Sequence, residues 1–344
     1  MGNSYVSSVW DMPSGDSVSV VVAVYNMEAY LRTCMEALLS QTHREIEVVL
    51  VDDGSIDASG AICDAYAAED ARVKVVHQAN AGQSAARNAG IATARGDWLC
   101  CVDPDDVVAS SYVERLLAAA RACGAPAVGC LTEVFYENEL PECSSNGDEG
   151  IIILSGVEAA CEILSEGLSS TSPCGKLAPL AAWRELRFPE GRRFEDLAVI
   201  WRFFESAPKV ALIRDRIYFY RKHAGSTSAV DAASRESIAE YITSIEQVLS
   251  ETSLSSNAVA LKRPAAFRAA LECCRAYEMC ALSKCIEEQD RLRFESYVKK
   301  CVAECMPKAI FATRAPIKQR IRILLFTISP AFSLRLLGMH KKGY

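Results

Sequence analysis

The sequence predicts an α/β protein: a Rossmann-like, mostly parallel sheet flanked by helices, followed by a helical C-terminal extension. Three observations predict it. Short β-branched runs alternate with helical segments at roughly 25-residue intervals through the first hundred positions. Those runs are apolar throughout rather than alternating, as strands covered on both faces are. After about position 231 the pattern turns to helix upon helix, over 232–250, 264–286 and 290–305.

The totals agree. A chain of 344 residues suits one large domain with an appendage. The expected division is a leader over 1–16, an α/β domain over 17–230 and a helical region over 231–344. Half the residues are apolar and 24% are charged, as in a folded protein. The formal charge of −7 argues against nucleic-acid binding. That charge is unevenly spread: 305–344 holds eight lysines and arginines and no Asp or Glu. Fifteen cysteines are scattered without C-x-x-C pairs, and 1–16 lacks the apolar core of a signal peptide. They read as small buried hydrophobes in a reducing cytoplasm.

Taken in order, 18–25 is a β-branched run of strand length. Tyr30, Leu31, Cys34, Leu38 and Leu39 then recur at helical spacing. Strands follow at 46–51, 73–76 and 97–102, separated by helices at 57–68 and 84–94. A helix at 110–123, a strand at 127–135, a loop at 136–150, a strand at 151–154 and a helix at 155–165 come next. Helix 194–206, strand material at 210–220 and a basic loop at 221–228 close the first region. The apolar piece 317–337 carries arginines and is broken by Pro330. Its uncharged stretch, 323–334, is too short to span a bilayer. Its composition suits either a helix lying on an anionic membrane, with contact through 308–344, or a docking helix with a solvated basic face.

The chemistry gathers where strands end. The run 99–102 stops at Asp103, Asp105 and Asp106, and the run 46–51 stops at Asp52 and Asp53. Ligands of open α/β sheets bind at this carboxyl edge, and the two clusters side by side would line one crevice. Like charges this close repel unless neutralised. Hard oxygen ligands suit Mg²⁺ or Mn²⁺ when substrate phosphates complete the shell. An acidic turn preceding a helix explains the same residues without a ligand. Neither G-x-G-x-x-G nor G-x-x-x-x-G-K-[ST] is present, so neither a dinucleotide fold nor a P-loop is supported.

Seven ordered segments resemble family 2 glycosyltransferases of GT-A fold. They are Val20-Val21-Val22-Ala23-Val24-Tyr25-Asn26, Val51-Asp52-Asp53-Gly54-Ser55-Ile56-Asp57, the stretch from Asn80 to Arg87-Asn88-Ala89-Gly90, Asp103-Pro104-Asp105-Asp106, Gly175-Lys176-Leu177, Phe194-Glu195-Asp196-Leu197, and Tyr220-Arg221 through Ser228. They cover about two-thirds of the chain. The resemblance implies an inverting transfer of a sugar from a nucleotide-diphosphate sugar, UDP-linked, to a hydroxyl of a glycan or lipid-linked acceptor in cell-surface polysaccharide synthesis.

It also implies roles. Asp105 binds Mn²⁺ or Mg²⁺, with Asp103 on ribose or a metal-bound water and His223 a further metal ligand. Asp52 and Asp53 hydrogen-bond base and ribose, and Ala23 to Tyr25 flank the base. Arg87 approaches the donor or forms a salt bridge to Asp52 or Asp53. Arg221 contacts donor phosphate, Lys176 contacts donor phosphate or acceptor, and Asp196 is the general base. On a helix, adjacent Glu195 points about 100° away, so one of the pair faces the site. Ala23 stands where the family has Pro. Residues 176–180 depart from the family's K-L-Y-R, so acceptor identity does not carry over. A catalytically silent sugar-nucleotide-binding or scaffolding protein and a nucleotidyltransferase are the rival readings. The second wants a Gly-rich basic signature near the first strand, which is absent.

Overall fold

The computed structural model describes residues 8–136, 150–167, 169–223, 233–283 and 285–333. The chain forms two compact units. One comprises Met1–Gly156 and Ser172–His223, the other Val157–Thr171 and Ala224–Tyr344. Residues 157–171, read from chain order as part of the α/β domain, therefore group with the C-terminal helices.

In the first unit β1 (Val18–Val24) is buried at every position. α1 (Leu31–Leu39) leads to β2 (Ile46–Asp52), α2 (Ser59–Glu69) to β3 (Val73–His77), and α3 (Gln83–Thr93) to β4 (Trp98–Cys101). β1 pairs in parallel with β2 on one side and β4 on the other, and β3 adds beyond β2. Parallel strands need crossovers of this length, and the helices supply them. Their cover explains why β1 and β2 tolerate unbroken runs of valine and leucine. Gly90 lets α3 sit directly on the sheet: a Cβ there would stand 2.4 Å from a Val21 methyl.

Beyond β4 the sheet changes character. β5 (Val107–Val108), α4 (Tyr112–Cys123), β6 (Ala127–Tyr136) and β7 (Ile151–Leu154) follow. The chain then leaves this unit for most of α5 (Gly156–Leu164). It returns for β8 (Lys176–Pro179), α6 (Leu180–Glu185), α7 (Glu195–Glu205) and the long β9 (Val210–Lys222). β8 lies antiparallel between β4 and β6. β9 runs parallel to β6 and antiparallel to β5 and β7. The path of nine strands is β3-β2-β1-β4-β8-β6-β9-β5, with β7 on β9. β5, β8 and α6 were not expected. Lys176-Leu177-Ala178-Pro179 has poor strand propensity, and pairing on both sides holds it extended. Residues 221 and 222, read as loop, complete β9. The remainder of that loop from 224, and 137–149 of the loop at 136–150, lie outside the described residues.

The second unit joins α5 to α8 (Arg235–Leu254), α9 (Ala258–Leu282), α10 (Glu288–Ala309) and α11 (Ile317–Ile328). Arg268 on α9 donates to the carbonyls of Ile163 and Leu164, satisfying acceptors that the end of α5 leaves open. Its guanidinium also pairs with Glu272 at 2.7 Å, and Arg275 reaches the same carboxylate at 2.9 Å. Burial raises the Glu272 carboxyl, but Arg275 and Arg268 outweigh it and hold it at about 2. The Tyr241 hydroxyl donates to Glu272 as well.

Candidate active site

The acidic turn after β4 is strapped down by β9. The Asp103 N–H donates to the Tyr218 hydroxyl at 3.2 Å, and that hydroxyl donates to Asp106 at 2.5 Å. The Arg221 N–H donates to the other Asp106 oxygen at 2.8 Å, and Arg221 Nε to the Asp105 carbonyl at 2.7 Å. Asp106 is thus buried as part of the frame. Burial, then the charges of Asp103 and Asp105, hold its carboxyl well above the ordinary range. Asp103 and Asp105 keep partial exposure, 21% and 15% of their side chains. Burial and the Asp103 charge raise the Asp105 carboxyl too, and a bond from His223 offsets part of that.

Arg87, buried on α3, joins this turn to α7. Its guanidinium donates to Asp103 at 3.0 Å and to Glu195 at 2.7 Å, with the Phe188 ring 5.6 Å away. Its partners are therefore not Asp52 or Asp53, the salt bridges weighed from sequence. Glu195 is spent on this bridge. Asp196, one position on, accepts only the N–H of Leu197 at 2.7 Å and has no ion pair among the described residues. Desolvation, then the neighbouring Glu195 charge, raises its carboxyl to about 7.

The second acidic tip is not beside the first, because β1 runs between β2 and β4. Asp52 and Asp53 flank one side of the β1 end and Asp103 the other. Both carboxylates of the β2 tip already have protein partners. Asp53 accepts from Gln78 Nε2, Ala81 N–H and Gly82 N–H at 2.6, 2.9 and 2.8 Å, filling three of about four acceptor positions. Asp52 accepts from the Ser55 N–H at 3.0 Å and lies 2.9 Å from His77 Nδ1. Burial raises its carboxyl, but these bonds and the His77 charge take it below the ordinary range. Ala23 is buried within β1, whereas Tyr25 just beyond it is 43% exposed. Tyr25 is the exposed aromatic at this edge.

His223 closes the opposite flank, its Nε2 3.0 Å from Asp105 and its ring 4.5 Å from that of Tyr30. Arg221 lies between the Tyr30 and Phe135 rings, 5.1 and 4.6 Å from their centroids. Lys176 is buried in β8, donates to the Ser172 carbonyl at 2.5 Å, and is lowered by burial to about 8. Tyr218, Tyr30 and Glu195 as the Arg87 partner carried no usable sequence signal. Tyr218 reads as one more apolar position in a strand.

The residues fit a divalent cation. Asp103, Asp105 and His223 offer hard oxygen and imidazole donors, and Asp103 and Asp105 keep partial exposure at the turn. Among the described residues no group of three His, Cys, Asp or Glu side chains is placed to hold a metal ion by itself. A cation here would draw further ligands from substrate phosphates and water, as Mg²⁺ and Mn²⁺ do.

The chain is similar to known proteins in sequence and in fold. The sequence model for glycosyl transferase family 2 matches residues 19–143. Glycosyltransferase GlyG of Streptococcus pneumoniae serotype 4 is 35% identical over 223 residues, covering 61% of this chain and 72% of GlyG. Glycosyltransferase GlyA of the same organism is 34% identical over 223 residues, but the match spans only 32% of GlyA. Among solved structures, S. aureus TarS 1-349 in complex with UDP-GlcNAc superimposes with a TM-score of 0.62 at 18% identity, over 91% of this chain and 88% of that one. The mannosyltransferase PcManGT from Pyrobaculum calidifontis, in complex with GDP-Man and Mn²⁺, gives 0.51 at 13%, over 91% and 87%. These two share the fold. With the relatives in sequence, they make the chain a glycosyltransferase belonging to glycosyl transferase family 2.

Proposed function

We propose that this enzyme transfers a sugar from a UDP-sugar to a hydroxyl of a glycan or lipid-linked acceptor, with inversion, in cell-surface polysaccharide synthesis on the cytoplasmic side. The observation that carries the reading is the Arg87 bridge. It ties the β4 turn to α7 and consumes Glu195, while Asp196, on which Arg87 and Lys176 act only through their charge, makes no ion pair among the described residues. The TarS complex with UDP-GlcNAc supports a uridine donor.

In this reading Ala23, Tyr25 and Asp52 flank base and ribose, while Asp53 holds the loop at 80–82 that borders them. Asp103 and Asp105, with His223, would hold a divalent cation, which would supply Lewis-acid stabilisation of the leaving diphosphate. Arg221 and Lys176 add positive potential on the diphosphate side. Asp196 takes the proton of the acceptor hydroxyl as its oxygen bonds to the anomeric carbon. The bond from that carbon to the diphosphate oxygen breaks on the opposite face, and the nucleoside diphosphate leaves with the electron pair.

A thermal-shift screen of nucleotide sugars, with and without Mn²⁺, tests this directly. One UDP-sugar is expected to raise the melting temperature only when Mn²⁺ is present. Asp105→Ala is expected to abolish that shift and to abolish transfer. Unchanged turnover in Asp105→Ala rejects the metal role. Donor binding without turnover on any hydroxyl acceptor would favour the silent binding protein instead.

A further inference from the structure

α11 is amphipathic twice over. Ile323 and Phe326 are buried and attach it to the second unit. Yet Ile317, Ile321, Leu324 and Ile328 are 66%, 50%, 43% and 75% exposed. Their spacing of four, three and four residues, at about 100° per residue, lines them up on one narrow ridge roughly opposite Phe326. Phe332, just past Pro330, is also exposed. So the docked helix and the membrane helix weighed from sequence are not alternatives. One face docks, and a second apolar face remains uncovered.

The charges around that ridge are of one sign. On the helical wheel Lys318 falls on one side of it and Arg320 on the other; neither is in an ion pair among the described residues, and the Arg320 guanidinium donates to the Ile310 carbonyl at 3.2 Å. The nearby acids are spoken for: Glu278 pairs with Arg322, and Glu158 and Glu162 pair with Arg314. The sequence from 305 onward adds no Asp or Glu. No helix among the described residues is long and apolar enough to cross a membrane.

We propose that the α11 ridge is a docking surface for an anionic lipid bilayer, lying in the headgroup plane. Ile317, Ile321, Leu324 and Ile328 enter the interface, and exposed Lys318 reaches a lipid phosphate beside them. Charge complementarity selects this occupant. A second copy of the chain would bring the same cations against these, at close range and partly desolvated, and like charges so placed repel. An anionic leaflet attracts each of them. Long basic side chains flanking an apolar ridge can keep their charged ends at headgroup level while their stems lie on the lipid.

The full chain should co-sediment with vesicles of mixed phosphatidylglycerol and phosphatidylcholine, and little with phosphatidylcholine alone. Raising the salt should release it, because the attraction is screened. Ile321→Glu with Leu324→Glu should lower the partition by about tenfold or more, since both apolar burial and charge attraction are lost. Both positions are exposed, so the circular dichroism melt should match the parent. The milder Ile317→Ser with Ile328→Ser should weaken partition in the same direction. Equal sedimentation of these variants, or equal binding to neutral vesicles, overturns the proposal. So does a parent dimer in analytical ultracentrifugation that these variants convert to monomer, which would assign the ridge to a second copy.

Discussion

Two of the molecule's clusters of buried carboxylates follow opposite electrostatic rules. In the second unit Glu272 sits between Arg268 and Arg275 and accepts from Tyr241, and its carboxyl is held at about 2. In the first unit Asp105, Asp106 and Asp196 are all raised, because desolvation and neighbouring acids outweigh His223 at Asp105, Tyr218 and Arg221 at Asp106, and Arg87 at Asp196. The one guanidinium joining the β4 turn to α7 is shared between Asp103 and Glu195. A buried acid with its counter-charge in place fixes structure. A group of acids short of positive charge is poised for a ligand that brings it, or for a proton. The pattern of pairing, more than burial, separates frame from site.

The sharpest way to break this comparison is to neutralise the unpaired acid. Asp196→Asn should retain donor binding and lower the transfer rate by about 10²–10⁴-fold, the typical value of a general base. Single-turnover kinetics with a fixed donor measures it, and a rate within a few-fold of the parent removes Asp196 from the chemistry. The converse experiment removes the paired acid. Glu272→Gln takes a carboxylate from buried Arg268 and from Arg275, which is 38% exposed; both keep Glu166, so the change should cost about 1–3 kcal/mol of stability. Transfer per folded molecule should be unaffected well below the melting transition. Chemical denaturation beside an activity assay checks both halves.

The two clusters also answer pH differently. Asp196 must be ionised to accept a proton, so transfer should fall as pH drops through about 7. Glu272 contributes stability because its folded carboxyl is lower than its unfolded one. That contribution is present above the ordinary value of 4.5 and is lost as pH falls towards about 2. Activity should therefore disappear well before the helical unit loses stability. A rate–pH profile alongside melting temperatures distinguishes the two, and coincident transitions would erase the contrast.

What could be read from sequence follows the same division. β1 to β4 were legible because their valine and leucine runs are unbroken and their helices intervene at regular distance. The acidic turn was legible because Asp103, Asp105 and Asp106 are close in sequence. The Arg87 bridge was not, because Glu195 is 108 positions away and only the returning α7 brings it near. β8 was hidden for a related reason: Lys176 and Pro179 deny it a local signal, and β4 and β6 impose its conformation from outside. The membership of residues 157–171 in the second unit is likewise a matter of contacts distant in sequence, such as Arg268 on the carbonyls of α5.

The smallest expected effect concerns Asp106, and it tests whether proximity to the site is enough to make an acid functional. Asp106 is 1% exposed, and both its oxygens face β9 groups. Burial, then the charges of Asp103 and Asp105, hold it well above the usual carboxylate range, towards the neutral acid. An asparagine resembles that neutral acid in shape. Its oxygen can accept from the Arg221 N–H, and its amide can donate to the Tyr218 hydroxyl in place of the present bond. Asp106→Asn should then cost less than about 1 kcal/mol and leave transfer within a few-fold of the parent. Tyr218→Phe removes the hydroxyl that joins Asp106 to the Asp103 N–H, leaves both without that partner, and should cost about 1–3 kcal/mol. Melting temperature and turnover measured on the two variants give the order. If Asp106→Asn is as damaging to turnover as Asp105→Ala, the third acid of the turn belongs with the ligands rather than with the frame.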